Sequence, residues 1–221
     1  MSIFDSLKGA AESTLKKEAA KAVNNAAQSV GKGKNRSESF TFAVLPANVA
    51  ELQALPEASL DSAFKTTALT IVALCRYEQN PDEAIEMLNF LKGPAEVSTY
   101  EKQFIRERLN GKGYKARSFF AGATPEKGYK PTIPYVISVS ENPYSFDEEN
   151  WATLYVTSGG ADNPRPIKLR KKPSTGQWFL NDIQCLSDIQ IKEMRFFGGQ
   201  SNVSRLHLTP KVTPTYACRN S

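Results

Sequence analysis

Histidine and cysteine, two residues that often act as general bases or nucleophiles, are scarce in this 221-residue chain. Its single histidine, His207, lies in an irregular C-terminal stretch, so neither a Ser/His/Asp or Cys/His relay nor a histidine-based metal site is expected inside a domain. The cysteines Cys75, Cys185 and Cys218 are odd in number and widely spaced, which indicates free thiols in a reducing compartment. We predict no catalytic residue, no metal and no cofactor.

Consecutive acids at Asp147, Glu148 and Glu149 are the remaining candidates for proton transfer. Two carboxylates that face each other across a pocket can perform general acid–base chemistry without histidine. Neighbours in sequence seldom face each other in this way, so we favour a solvated turn before Trp151.

A run of basic residues after Ser158-Gly159-Gly160 is the clearest binding pattern. On an extended strand from 166 to 172, Ile167 and Leu169 point to one face and the basic side chains to the other. With Tyr155 and Trp151 on the neighbouring strand, such a row could bind an anionic partner. The candidate residues are Arg165, Lys168, Arg170, Lys172 and Tyr155. The alternative, which we favour, is a solvent-facing edge strand whose lysines prevent pairing with other chains.

The charge of the chain is concentrated at its two ends. Residues 1–39 carry seven Lys/Arg against four Asp/Glu, residues 194–221 carry four against none, and the remaining part has a net charge of −2. Basic ends around a nearly neutral body are more typical of solvated tails than of a nucleic-acid interface, so nucleic acid is the least favoured partner.

Residues 1–30 show the spacing of an amphipathic helix. Its apolar stripe repeats every eleven residues, which keeps the stripe straight along the helix, but alanine dominates after the first turns. Three roles remain open: contact with a membrane surface, contact with a protein partner or a second copy of the chain, and packing on its own domain. The residues assigned to contact with a membrane or partner are Ile3, Phe4, Leu7 and Leu15, together with Lys8, Lys16 and Lys17.

A domain from 40 to 193 follows a Gly/Ser-rich linker at 31–39 and precedes an irregular basic tail at 194–221. Its first half predicts a strand at 40–45 and helices at 63–77, from Pro81 to the Gly93-Pro94 break, and at 100–109. From residue 114 onward the period changes to two, which predicts strands at 115–120, 133–140, 151–158, 166–172 and 177–183. We therefore expect an α+β fold of three helices followed by an antiparallel meander of about five strands, cystatin-like or NTF2-like by analogy.

Three segments carry a resemblance to a known family. They are Leu88 to Pro94 (LNFLKGP), Gly159 to Pro166 (GGADNPRP) and Ser174 to Leu180 (STGQWFL). From Phe40 to about Ile191 the chain resembles a bacterial domain family of unknown function, and this resemblance implies no activity, site residue or cofactor.

Two classes of function fit these observations. The first is a non-catalytic binding or scaffold module, cytoplasmic and peripheral at the membrane, which residues 1–30 tether to a membrane surface or a protein partner. The alternative is an NTF2-like protein that binds or converts a small molecule, with carboxylates and with aromatics such as Tyr155 and Trp178 on the concave face of the sheet.

Overall fold

Two layers form the part of the chain that the structure, a computed structural model, describes: residues 35–187 and residue 189. One layer is a five-stranded antiparallel sheet, and the other is helical. The strands are β1 Ser37–Phe42, β2 Tyr135–Ser140, β3 Trp151–Val156, β4 Arg165–Lys171 and β5 Trp178–Asp182. The α-helices are α1 Val49–Gln53, α2 Ala63–Arg76, α3 Pro81–Lys92, α4 Thr99–Leu109 and α5 Tyr114–Arg117, and short 3-10 helices span Pro56–Ser59 and Pro125–Lys127. The expected α+β class is confirmed.

The sheet is a meander in which each strand pairs with its neighbours in the order β1-β2-β3-β4-β5. Apolar and polar residues alternate along β3 and β4, so that Leu154, Ile167 and Leu169 are fully buried while Lys168 is exposed. One face of the sheet therefore packs against the helices, and the other, which we call the outer face, meets solvent.

Helix α2 lies across the inner face and contacts all five strands. Every residue from Ala63 to Cys75 except Lys65 is buried. A helix that is buried nearly all round must have neighbours on both sides. Helix α3 packs against α2 and also reaches β5.

The helix starts and stops agree with the sequence signals. The Ser62 side chain caps α2, Asn80 caps α3 ahead of Pro81, and Ser98 with Glu101 forms a capping box on α4. Gly93 ends α3 with a φ of 65°, a conformation that favours glycine. Local hydrogen bonding thus sets the ends of all three long helices.

A partly buried ion pair joins the end of α3 to the start of α4. Lys92 Nζ lies 2.6 Å from Glu101 Oε1 and 3.4 Å from the Asn181 carbonyl oxygen. Burial alone would raise the pKa of Glu101, but hydrogen bonds from Lys92 and Ser98 outweigh it and hold this pKa below its ordinary value. The pair therefore ties the helical layer to β5.

The strand expected at 115–120 is wrong, because residues Tyr114–Arg117 form the short helix α5. One side of β2 is paired with β1 along its whole length, and on the other side β3 pairs with the last two residues of β2. Along the rest of that side, β2 forms an isolated bridge between Ile137 and Phe120. The first strand also differs, since β1 starts at Ser37, inside the expected linker, and ends at Phe42.

Several other expectations fall outside the described residues. These are the N-terminal helix at 1–30, including its apolar stripe and lysines, the first part of the linker, and the tail at 194–221 with His207 and Cys218. Among the described residues, no helix is long and apolar enough to cross a membrane.

Threonine hydroxyls in the middle of α2 are completely buried. Thr67 Oγ1 and Thr70 Oγ1 donate to carbonyls one turn earlier in their own helix, at 2.9 and 2.8 Å. Thr66 Oγ1 lies 3.4 Å from the Ser62 carbonyl oxygen, but its shorter hydrogen bond, at 2.8 Å, is to the Trp178 carbonyl of β5. The Trp178 amide in turn donates to the Leu60 carbonyl at 2.7 Å, so β5 is fastened to the start of α2.

Thr66→Val is expected to lower the free energy of unfolding by about 1–2 kcal/mol, because it removes the hydroxyl that donates to the Trp178 carbonyl. Thr67→Val is the matched control, since its hydroxyl bonds only to a carbonyl of its own helix, and we expect a change below about 0.5 kcal/mol. Urea denaturation of both variants measures the difference. Equal losses in the two variants would contradict the fastening role of Thr66.

Candidate functional site

The basic residues of β4 alternate with the core as the sequence predicts, but they do not form a continuous cationic surface. Lys168 is exposed on the outer face, and in the strand register it lies opposite Asp182 of β5. The Arg170 Nη2 donates to the Lys92 carbonyl at the end of α3, at 3.0 Å. Lys172 lies beyond β4 in the hairpin, where its amide donates to the Gln177 carbonyl at 2.8 Å. A register shift between Lys168 and Leu169 further interrupts the row.

The two remaining candidates lie at the other end of β4. Arg165 is half-buried and opposite Val156, and Tyr155 is half-buried and opposite Pro166. Arg170 therefore has a structural partner, whereas Lys168 is the member of the set that stays exposed in the middle of the outer face. The expectation of an edge strand is wrong, because β4 lies between β3 and β5.

A pocket on the outer face joins Lys168 to the acidic run. It has a volume of about 370 Å³ and lies between the outer face and the loop that precedes β3. The residues that line it are Tyr144, Ser145, Asp147, Glu148, Trp151, Ala152, Thr153, Lys168 and Asn181. We call it the outer pocket. One basic residue and two acidic residues line it, so the net charge of the pocket does not favour an anion.

Buried apolar side chains fill the described inner face, where the NTF2-like alternative expects a concave pocket. The residues that β3 and β4 point inward, among them Leu154, Val156 and Leu169, have no exposed surface. Tyr155 points to the outer face, whereas Trp178 packs on the inner side, with its ring centroid 5.8 Å from that of Phe146. The two aromatics named for that pocket thus lie on opposite faces of the sheet.

A larger pocket opens at the C-terminal end of α2, and we call it the end pocket. Its volume is about 540 Å³, within the range of small-molecule sites. Four segments supply its lining: the chain after β1, the last turns of α2, the end of α5, and the chain leading into β2. The lining residues are Ala43, Val44, Leu45, Pro46, Val72, Cys75, Arg76, Gln79, Arg117, Phe120, Pro131, Ile133 and Tyr135.

Apolar side chains and two guanidinium groups share this pocket. Val44 and Ile133 are 76% and 75% exposed, which is unusual for aliphatic side chains that flank a concavity. Arg76 and Arg117 are the charged lining residues, and no acid lines the pocket. Arg117 pairs with Glu78 beside it. The buried Nε of Arg76 has no hydrogen-bond partner among the described residues.

The thiols do not supply a nucleophile here. Burial raises the pKa of Cys75 far above its ordinary value, although the nearby Arg117 opposes the shift. Burial likewise raises the pKa of Cys185 to about 12. Both thiols are therefore protonated at neutral pH and unreactive. Among the described residues, no three His, Cys, Asp or Glu side chains lie close enough to hold a metal ion.

Sequence reasoning missed the end pocket because its residues come from distant segments. The only local signals were the exposed Val44 and Ile133, each close to a proline, and the arginines at the ends of α2 and α5. The sequence pattern predicts a strand at 115–120, so the position of Arg117 beside α2 was not expected.

Arg170→Met is expected to destabilise the fold by about 1–2 kcal/mol, because a charge-assisted hydrogen bond to the end of α3 is lost. Lys172→Met removes a charge from an exposed side chain with no partner of this kind and should change stability by less than about 0.5 kcal/mol. Thermal and urea unfolding compare the two variants. A stable Arg170→Met protein would return Arg170 to the list of free binding residues.

Comparison with known proteins places the chain in a family without an assigned activity. The family model of a domain of unknown function (DUF6935) matches residues 44–193. Searches of curated proteins and of solved structures found no match. The matched stretch covers more than half of the chain and includes the helices, β2 to β5 and both pockets except for Ala43. The chain therefore belongs to the DUF6935 family.

Proposed function

We propose that the chain is a non-catalytic binding module whose end pocket takes an apolar ligand that carries an anionic group. The observation that carries this proposal is the pairing of apolar walls with Arg76 and Arg117 in a pocket that no acid lines. The exposed Val44 and Ile133 would be covered by the apolar part of such a ligand.

Charge supports an anion over a neutral or cationic ligand. The Arg76 Nε is shielded from solvent, so part of this guanidinium lies where water screens its charge poorly. An anion bound at the accessible part of this guanidinium would interact with it more strongly than at an open surface. Arg117 is partly neutralised by Glu78, which leaves Arg76 as the principal anchor.

Decanoate tests the proposal on the full chain, with decanol as its neutral counterpart. Calorimetric titration should show decanoate binding about tenfold more tightly than decanol, the effect of one charge-assisted hydrogen bond in a partly dehydrated site. Arg76→Met should remove this preference and leave the weaker decanol affinity unchanged, because the apolar walls remain.

Arg106→Met is the matched control, since Arg106 is exposed on α4 and lines neither pocket. It should keep the full preference for decanoate. Failure of the wild-type chain to bind either compound, or equal affinity for both, would contradict the proposed ligand class.

The tether belongs to the same proposal. The apolar stripe expected over residues 1–30 would hold the module at a membrane surface or on a protein partner. This part rests on the sequence pattern, and a cytoplasmic position at the periphery of the membrane accompanies it. The free, buried thiols Cys75 and Cys185 support a reducing compartment.

Deletion of residues 1–34 tests the tether without damage to the sheet, because β1 begins at Ser37. The full chain is expected to float with anionic vesicles or to assemble in solution, and the shortened chain to do neither. Leu7→Glu in the full chain should act like the deletion, because it breaks the apolar stripe and keeps every lysine. Equal flotation and equal mass for all three proteins would refute the tether.

A further inference from the structure

The outer pocket is a second candidate binding site, and it shares no lining residue with the end pocket. Its wall is the loop before β3, which folds back along that strand. The Thr153 amide donates to the Ser145 carbonyl at 2.9 Å, and the Trp151 amide donates to the Glu148 carbonyl at 3.2 Å. Asn142 Oδ1 accepts from the Tyr144 amide at 2.9 Å. These hydrogen bonds hold the backbone of the loop in a defined conformation beside the sheet.

Two aromatic rings in this pocket are open to solvent. Tyr144 is 76% exposed and Trp151 is 41% exposed, although both are large enough to contribute to a core. Exposed aromatic rings beside a concavity mark a contact surface, because they offer a wide apolar face at a low cost in conformational entropy.

The charges around the rings have both signs, because two carboxylates and one ammonium group line the same pocket. Asp147 and Glu148 stand in the same pocket as Lys168, and none of the three makes an ion pair or a side-chain hydrogen bond within the described part of the chain. A phosphate would meet two carboxylates, and a quaternary ammonium would meet the lysine. A neutral ligand with many hydroxyl groups uses both signs, because each hydroxyl donates to a carboxylate and accepts from an ammonium or amide.

We propose that the outer pocket binds a neutral saccharide. The apolar face of a sugar ring lies on Trp151 or Tyr144, and its hydroxyls bond to Asp147, Glu148, Lys168 and the side chain of Asn181. A volume of about 370 Å³ fits one or two sugar rings of a longer chain. This site is independent of the end pocket, so neither proposal depends on the other.

Calorimetric titration of the full chain with maltohexaose, cellohexaose and xylohexaose tests the proposal, with inorganic phosphate and tetramethylammonium as charged probes. At least one oligosaccharide should bind with a Kd below about 1 mM, which corresponds to roughly −4 kcal/mol. Tyr144→Ala should weaken this binding at least fivefold, and Trp151→Ala should weaken it further.

Tyr100→Ala is the matched control, because Tyr100 is 78% exposed on α4 and lines neither pocket. It should bind the oligosaccharide as the wild type does. Tyr144 is exposed enough that its removal leaves the fold intact, so a negative result cannot be assigned to unfolding. The proposal is overturned if no oligosaccharide binds, if Tyr144→Ala binds as tightly as the wild type, or if only phosphate or only tetramethylammonium binds.

Discussion

Helix α2 lying across the inner face of the sheet is the constraint on which the rest of the domain depends. It contacts every strand, and its buried side chains fill the space between the layers. Burial of an average aliphatic side chain contributes about 1.5–3 kcal/mol, so this contact dominates the stability of the domain. Its completeness also has a functional consequence: within the described residues the inner face is closed, and the outer pocket and the end pocket lie away from it.

The sequence predicted those features that depend on short-range interactions. Side-chain caps at Ser62, Asn80 and Ser98 begin the three long helices because each satisfies amides within its own first turn. Alternation predicted β3 and β4 because one face of each is buried. The prediction of a strand at 115–120 was wrong, because a segment becomes a strand only where a neighbouring strand has unpaired backbone groups. Most of the backbone of β2 is already paired with β1 and β3. The end pocket was missed for a related reason: its four segments meet only after the whole domain has formed.

The three segments on which the family resemblance was based are explained by packing rather than by either pocket. A β-carbon on Gly93 would come within 2.5 Å of the Phe179 ring, so the first and third segments meet where α3 ends against β5. A β-carbon on Gly159 would lie 2.2 Å from the Ala123 carbonyl oxygen, where the loop between β3 and β4 docks on the segment after α5. The buried hydroxyls of Ser118 and Ser158, 2.7 Å apart, close the same junction. These motifs therefore report the fold, and family membership carries no information about a ligand.

The energetic cost of certain features separates a binding surface from a merely stable one. Val44 and Ile133 lie in water beside an arginine whose buried Nε has no partner among the described residues, and an orphan donor of this kind costs about 1–3 kcal/mol. The partly buried ion pair of Lys92 and Glu101 shows the opposite arrangement, with both charges hydrogen-bonded and the helices joined. The end pocket resembles the sites at which proteins give up local stability for recognition. This energetic cost lies at the end of α2, and the packing of α2 on the sheet stabilises the core.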